Sequence, residues 1–256
     1  MSVQPILSVT ELKKTFPDGT RALRGVSLDV MPGEFLVMIG SSGAGKSTFL
    51  RCINHLFEPT GGRIVYDGTD ISTISGANLR RLRRELGMIF QGYNLVKRLS
   101  TIENVLLGRL GYMSSISGAL GLYSKQDRER AVELLIRVGL GEQRFKRADQ
   151  LSGGQQQRVG IARAIAQNAR LVLADEPIAS LDPKASDTVM SYLHEVTREE
   201  NITCIVNLHQ VDYAKRFADR IIGLKDGEIT FIGKPEEVTD EVIRDLYGEK
   251  GDQVDE

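Results

Sequence analysis

One segment constrains the fold of this chain more than any other: residues 40–47 read GSSGAGKS and fit the phosphate-binding pattern G-x-x-x-x-G-K-S/T. The apolar run FLVMI comes directly before it, and residues 46–54 have the apolar spacing of a helix. Glycine backbone N–H groups and a helix N-terminus both favour an anion. The segment therefore predicts a nucleotide phosphate site within an α/β fold. A strand–helix turn without a ligand is the less favoured alternative.

Two side chains at the end of this loop predict the ligand. Lys46 would reach the β- and γ-phosphates, and the Ser47 hydroxyl would hold Mg²⁺. The expected ligand is ATP with Mg²⁺, and the expected reaction is ATP hydrolysis.

A second segment, LVLADEP at residues 171–177, is an apolar run that ends in two carboxylates. Buried parallel strands have this pattern, and functional residues collect at their C-terminal ends. Asp175 is predicted to bind Mg²⁺, and Glu176 is predicted to be the general base that polarises the attacking water. Adjacent strand residues point to opposite faces, so a strand end or a bulge would be needed for both side chains to converge.

A third segment, LSGGQ at residues 151–155, precedes a helical pattern. Ser152 and Gln155 fit the S-x-x-Q capping box, so the conservative interpretation is a helix cap. Two glycines and a serine hydroxyl at a helix N-terminus also suit a second anion site. The segment lies more than 100 residues after the loop at 40–47.

The apolar patterns divide the chain into a mixed α/β part and a helical part. Strands are predicted at residues 6–12, 22–30, 35–39, 63–66, 87–90, 171–175, 203–208, 220–224 and 228–232, and helices at 46–54, 78–85, 102–107, 125–138, 154–167, 183–199 and 211–217. No strand is predicted between residues 102 and 167, which indicates an inserted helical subdomain. We expect one domain over 1–256, with a catalytic core at 1–90 and 158–250 and the helical insertion at 91–157. A short helical end is expected at 235–248, and a frayed polar tail at 251–256.

Composition narrows the class of protein. The net charge is −1, so no global attraction to nucleic acid is expected, and the four arginines between Arg80 and Arg84 are predicted to form a solvated helix face. Cys52 and Cys204 are too far apart for metal-ligand spacing and indicate buried thiols.

No apolar run approaches the roughly 18 residues of a membrane span, and the N-terminus has no secretory signal pattern. We therefore expect a chain that does not cross a membrane but can sit on a partner that does.

These motifs together resemble the nucleotide-binding subunit of ABC transporters. The pattern comprises GSSGAGKST, IFQGYNL with Gln91, LSGGQ, LADEP, the ASLD string that ends at Asp182, and His209. The most specific element is LSGGQ between the other two motifs. The resemblance covers nearly the whole chain and implies a RecA-like P-loop NTPase core with an antiparallel β subdomain and an inserted helical subdomain.

The resemblance also implies a role for each matching residue. Phe16 would stack on adenine, although a core aromatic at a strand end is an alternative. The implied nucleotide-binding residues are Phe16, Gly40, Ser41, Ser42, Gly43, Ala44, Gly45, Lys46, Ser47 and Thr48. The implied catalytic residues are Glu176, His209, Gln91 and Lys46, and the implied metal ligands are Ser47, Gln91 and Asp175. Residues that would contact the nucleotide of a second copy are Ser152, Gly153, Gly154, Gln155 and Asp182.

A narrower resemblance is to the ATPase subunits of phosphonate importers, carried by strings such as YNLVKRLS, ENVLLG, RADQLSGGQQQR, DEPIASLDP and LHQVDYA. Ser41 stands in place of a usual proline and Gly92 in place of a usual glutamine. Neither change removes a ligand, and Gly92 would alter only the contact with the permease.

The resemblance implies a set of partners and a location. Two copies would close on two ATP molecules, and membrane permease subunits would contact residues 91–99. The chain would sit at the cytoplasmic face of the membrane, and a periplasmic or extracytoplasmic solute-binding protein would act indirectly. Phosphite, phosphate and a polar amino acid remain alternative solutes. A non-catalytic cassette and a soluble ABC ATPase that acts on nucleic acid are less favoured, and no nucleic acid partner is expected.

Overall fold

A computed structural model describes residues 4–248, so the tail predicted at 251–256 lies outside the described residues. Its strands are β1 (Leu7–Thr15), β2 (Arg21–Val30), β3 (Phe35–Ile39), β4 (Gly61–Tyr66), β5 (Thr69–Asp70), β6 (Leu86–Ile89), β7 (Leu171–Asp175), β8 (Thr203–Asn207), β9 (Arg220–Lys225) and β10 (Glu228–Gly233). Its α-helices are α1 (Lys46–Ile53), α2 (Gly76–Glu85), α3 (Thr101–Leu106), α4 (Ser115–Ala119), α5 (Lys125–Arg137), α6 (Gly153–Ala166), α7 (Pro183–Glu199), α8 (Val211–Phe217) and α9 (Asp240–Tyr247). Short 3₁₀ helices lie at Leu107–Tyr112, Ala148–Gln150 and Pro235–Glu237.

The described residues form two compact units, and the first comprises residues 4–79 and 203–248. One of its sheets is antiparallel, with strand order β2-β1-β4-β5. Strand β1 buries Leu7, Val9 and Leu12. The pairing register with β2 shifts between Val9 and Leu12, and this bulge interrupts the alternation of buried and exposed residues. The predicted strand at 6–12 was too short, because pairing with β2 continues beyond the bulge to Thr15.

A second sheet in this unit carries the loop at 40–47. Strand β3 pairs in parallel with β8 on one side and β9 on the other, and β10 pairs antiparallel with β9. All residues of β3 and β8 are buried. A strand with neighbours on both sides and both faces covered needs a continuous apolar sequence, which FLVMI supplies.

The second unit, residues 80–202, combines a parallel strand pair with a helical group. Strand β6 pairs in parallel with β7, and Ile89 lies opposite Ala174. Helix α6 packs against α3, α5 and α7, and its residues Val159, Ile161 and Ala162 are fully buried. The backbone after α3 approaches α6 closely, because a Cβ added at Gly108 would lie 2.4 Å from the Arg163 carbonyl oxygen.

The predicted strands and helices are all present, with ends that differ by a few residues. The sequence patterns missed β5, the 3₁₀ helix at Leu107–Tyr112 and α4. Each is too short to establish an apolar period, and glycines interrupt the last two. The antiparallel β subdomain is confirmed as the β2-β1-β4-β5 sheet. Within residues 4–248, no helix is long and apolar enough to cross a membrane.

Candidate nucleotide site

At two positions of the loop between β3 and α1, the backbone has a conformation that only glycine can adopt. Gly40 has a φ of +146°, and an added Cβ would lie 2.1 Å from the Leu224 carbonyl oxygen. Gly45 has a φ of +106°, and its Cβ would lie 2.4 Å from the Ala22 carbonyl oxygen. Backbone atoms of the surrounding strands therefore hold the loop at both ends, and L side chains at these positions would displace it.

The side chains of the loop are arranged for an anion. Lys46 is only 4% exposed, and its Nζ donates to the carbonyl oxygens of Gly40 at 2.6 Å and Ser41 at 3.0 Å. Ser47 and Thr48 lie half-buried in the first turn of α1, while Ser42 and Gly43 are exposed at the tip of the loop. The lysine cation is thus held within the loop, next to the N-terminal N–H groups of a helix that begins without an acidic residue in its first turn.

A tyrosine that the sequence analysis missed joins this loop to His209. The Tyr247 hydroxyl accepts a hydrogen bond from the Gly40 N–H at 3.1 Å and donates one to the His209 carbonyl oxygen at 3.1 Å. Burial raises the pKa of Tyr247, so the phenol stays protonated and able to donate. No local motif could have found this residue, since it lies 207 positions from Gly40 in the sequence.

Phe16, the predicted adenine-stacking residue, follows β1 and is partly exposed rather than a core aromatic. Its ring meets the edge of the Phe57 ring at 5.4 Å between centroids, and Lys14 Nζ lies 5.2 Å from its centroid. One face of an aromatic ring held in this way can accept a base by stacking.

In the second unit, two predicted metal ligands lie at one edge of the parallel strand pair. Asp175 is the last residue of β7 and is 3% exposed, and Gln91 follows two residues after β6 ends. The C-terminal ends of parallel neighbours meet at the same edge, so the structure brings these two residues to one edge of the strand pair. The predicted need for a strand end is also met, because β7 stops at Asp175.

Glu176 has a φ of +50°, in the left-handed region. Such a conformation costs a non-glycine residue on the order of 1–3 kcal/mol and is found mainly at functional sites. It turns the side chain away from the direction that a continued strand would give it.

Tyr93 and Asn94, which follow β6, are hydrogen-bonded to α6, the helix that begins within the LSGGQ motif. Arg163 donates to the carbonyl oxygens of Asn94 at 2.6 Å and Tyr93 at 3.1 Å. Tyr93 also approaches the start of α6, because a Cβ at Gly153 would lie 2.7 Å from the Tyr93 hydroxyl oxygen. Burial lowers the pKa of Arg163. The sequence analysis missed both residues, since neither belongs to a phosphate-binding pattern.

The LSGGQ segment forms the predicted capping box. The Gln155 N–H donates to Ser152 Oγ at 3.3 Å, and the Ser152 N–H donates to Gln155 Oε1 at 3.0 Å. A cleft of about 210 Å³ opens beside this helix start, lined by Ser152, Gly154, Gln155, Arg158, Asp182, Lys184, Ala185 and Thr188. Asp182 also caps α7, because its Oδ1 accepts from the Ala185 N–H at 2.9 Å. The structure therefore brings the LSGGQ residues and Asp182 to one exposed cleft.

The class of protein follows from comparison with known families. The sequence matches the ABC transporter family over residues 23–179, a range that includes the loop at 40–47, the LSGGQ segment and Glu176. The chain therefore belongs to the ABC transporter family, as an ABC-type ATPase.

Individual relatives make the comparison more specific. The chain is 58% identical to phosphonates import ATP-binding protein PhnC 2 of Halalkalibacterium halodurans, over 94% of this chain and 99% of that protein. It is 51% identical to phosphonates import ATP-binding protein PhnC of Treponema denticola, over 93% of each chain.

Solved structures agree with the fold. A dimeric post-hydrolysis state of the ATP-binding cassette MJ0796, bound to ADP and Pi, superposes with a TM-score of 0.79 at 36% identity, covering 90% of this chain and 98% of that one. CbiO1 of Clostridium perfringens, part of the ABC transporter complex cbiONQ, superposes with a TM-score of 0.81 at 32% identity, covering 95% and 94%.

Proposed function

We propose that this chain is the ATP-hydrolysing subunit of a membrane ABC importer that takes up phosphonate. The observation that carries the proposal is the 58% identity, over nearly the full length of both chains, to a phosphonate import ATP-binding protein. The geometry of the two compact units supports the ATPase part independently, because each unit holds one kind of phosphate-binding element.

The first unit binds the ATP phosphates. Backbone N–H groups of residues 40–48 surround the phosphate oxygens, Lys46 neutralises the β- and γ-phosphates, and Phe16 stacks on the adenine ring. His209 contacts the γ-phosphate. The Tyr247 hydroxyl holds the loop and the His209 backbone in fixed positions, because it is hydrogen-bonded to both.

The second unit supplies the general base and two of the proposed Mg²⁺ ligands. Glu176 is the general base, and its left-handed backbone fixes its direction. Asp175 and Gln91, with Ser47 of the first unit, would hold Mg²⁺, since carboxylate, amide and hydroxyl oxygens are the donors that this ion prefers. When bound, Mg²⁺ neutralises charge on the phosphates. The protein's own contribution is to position the carboxylates, the amide and the lysine.

A second copy of the chain completes the site. The cleft is lined by the exposed residues Ser152 and Asp182 and lies next to the N-terminus of α6. The nucleotide that contacts Ser152, Gly153, Gly154, Gln155 and Asp182 is the one bound to the loop of the partner copy. A cassette with 36% identity forms a dimer with bound ADP and Pi, which supports self-association of this chain.

Permease subunits contact residues 91–99. The fully buried Asn104 shapes this segment, because its Oδ1 accepts from the Val96 N–H at 2.8 Å and its Nδ2 donates to the Val96 carbonyl at 3.1 Å. Residues 91–157 act as the helical subdomain that follows the permease, and residues 1–90 and 158–250 act as the catalytic core. The chain sits at the cytoplasmic face of the membrane, and a solute-binding protein delivers phosphonate to the permease.

Reconstitution tests the solute. The chain is co-purified with its permease and solute-binding protein, and ATP hydrolysis is measured with phosphonates, phosphite, phosphate and polar amino acids. Stimulation by phosphonates above the other solutes is expected. Stimulation only by a different solute would overturn the phosphonate assignment and leave the ATPase role intact.

A further inference from the structure

A group of exposed apolar side chains lies apart from the residues assigned to ATP. Ile116, Leu120 and Leu122 are 74%, 67% and 62% exposed, and Leu110 and Tyr112 are also exposed. All five belong to a stretch of thirteen residues, 110–122, that includes the short helix α4. Single exposed apolar residues are ordinary, but several within one short stretch mark a surface that contacts something other than water.

The C-terminal half of α2 adjoins this apolar stretch. A Cβ at Gly111 would lie 3.1 Å from Arg84 Cγ, and the Arg84 guanidinium lies 5.5 Å from the centre of the Tyr112 ring. The stretch is itself connected, since a Cβ at Gly118 would lie 3.4 Å from Leu110 Cδ2. We use the name arginine–leucine patch for the four exposed arginines of α2 together with the exposed side chains of residues 110–122, and Arg84 is the arginine that contacts the stretch. The patch comprises Arg80, Arg81, Arg83, Arg84, Leu110, Tyr112, Ile116, Leu120 and Leu122.

The charge of the patch is one-sided. All four arginines of α2 are exposed while Leu82 between them is buried, so the helix turns its apolar side inward and its cations outward. Arg109 is not counted in the patch, because its Nε donates to Asp127 Oδ1 at 2.7 Å and its side chain is only 19% exposed. The whole chain has a net charge of −1, so attraction to an anionic surface would have to come from such a local cluster.

We infer that the arginine–leucine patch docks directly on the anionic phospholipid surface of the membrane. Arginine side chains bind lipid phosphates, and each basic residue near an anionic leaflet adds to the attraction. Leucine and isoleucine side chains enter the boundary between headgroups and acyl chains. Tyr112 stays on the protein, because its hydroxyl donates to the Gln167 carbonyl oxygen at 3.0 Å. A nucleic acid phosphate backbone would use the arginines alone and would leave the apolar side chains exposed. The combination favours a lipid surface.

The inference goes beyond the proposed function, because it needs neither ATP nor a permease. Vesicle co-sedimentation of the full purified chain tests it without either. Vesicles of phosphatidylglycerol and phosphatidylcholine should bind the chain, vesicles of phosphatidylcholine alone should bind it about tenfold less, and added salt should weaken the binding.

Paired variants separate the patch from general charge. Arg80→Glu with Arg81→Glu should lower binding to anionic vesicles about tenfold or more. Arg21→Glu with Arg24→Glu alters two exposed arginines of β2 and gives the same overall net charge, and this control should bind as the parent chain does. Ile116→Ser with Leu120→Ser should also lower binding, whereas Ile136→Ser, at a position 62% exposed on α5, should not.

Folding is checked by thermal unfolding, and ATP hydrolysis in detergent should be the same in all these variants. Equal binding to both kinds of vesicle, or equal loss in the β2 control, would overturn the inference. So would a patch variant that binds vesicles normally but fails to bind the permease in detergent, since the patch would then be a protein contact. None of these results would affect the proposed ATPase function.

Discussion

The loop at 40–48 and the LSGGQ cleft are the two proposed phosphate-binding elements. Each lies at a helix N-terminus, but they are built differently. The loop is enclosed by neighbouring strands, and its lysine is buried and hydrogen-bonded within the loop. The cleft is held by helix caps, and Ser152 and Asp182 are exposed. In the proposed function, the first element binds a nucleotide within its own chain. The second presents its groups outward, which is the geometry expected of a surface that completes another molecule's site.

The largest expected effect comes from Glu176→Gln, which removes the base without changing the size of the side chain. ATP hydrolysis should fall by about 10²–10⁴-fold, while ATP binding stays close to normal. Phosphate release and nucleotide binding measured on the same preparation check this. Glu195→Gln, at an exposed position of α7, is the matched control and should hydrolyse ATP normally. A fully active Glu176→Gln chain would contradict the assignment of the base.

Lys46→Ala should act on binding rather than on the chemical step alone. The loss of a charge-assisted contact to phosphate should raise the dissociation constant for ATP by about tenfold or more. Calorimetric titration with ATP measures the change. Lys125→Ala removes an exposed lysine cation from α5 and should leave the affinity as it is. Unchanged ATP affinity in Lys46→Ala would rule out the proposed role of the loop.

Ser152→Ala should lower ATP hydrolysis without weakening ATP binding, which is the opposite of the effect expected of Lys46→Ala. A single copy should bind ATP with normal affinity, but hydrolysis should fall about tenfold, because the hydroxyl serves the nucleotide of the other copy. Loss of the helix cap should also lower the free energy of unfolding by about 1 kcal/mol. Ser124→Ala is the control, since Ser124 caps α5 in the same way and should lose stability without losing activity. Equal activity losses in both variants would reduce the role of Ser152 to capping.

Tyr247→Phe should have the smallest effect of the four. It removes the hydroxyl that joins Gly40 to His209, and loss of one hydrogen bond of this kind should lower kcat about three- to tenfold. KM for ATP should change less than about twofold, because the phosphate-binding groups of the loop remain. Steady-state kinetics of Tyr247→Phe test the proposal, with Tyr123→Phe as the control variant. A rise in KM with unchanged kcat would place Tyr247 in nucleotide binding instead.

The sequence predicted the features that short local patterns encode. The glycine pattern at 40–47 and the Ser152–Gln155 capping box each depend on a few neighbouring residues, and the structure has both. Tyr247 and Arg163 were not predictable, because each bonds backbone groups that are distant in the sequence, 207 residues away for Gly40 and 69 for Asn94. The left-handed conformation of Glu176 was also hidden, since a glutamate gives no local signal for it. The short helix α4 lacked the length that a periodic pattern needs.

The central claim is that the loop of one copy and the LSGGQ cleft of another share each ATP. Light scattering of the Glu176→Gln chain with ATP and Mg²⁺ tests it directly, with the parent mass of 28.3 kDa as the reference. We expect a dimer that forms only with ATP and that returns to a monomer when Ser152→Arg is added. A chain that binds ATP and remains a monomer, or a dimer that is indifferent to Ser152→Arg, would contradict it.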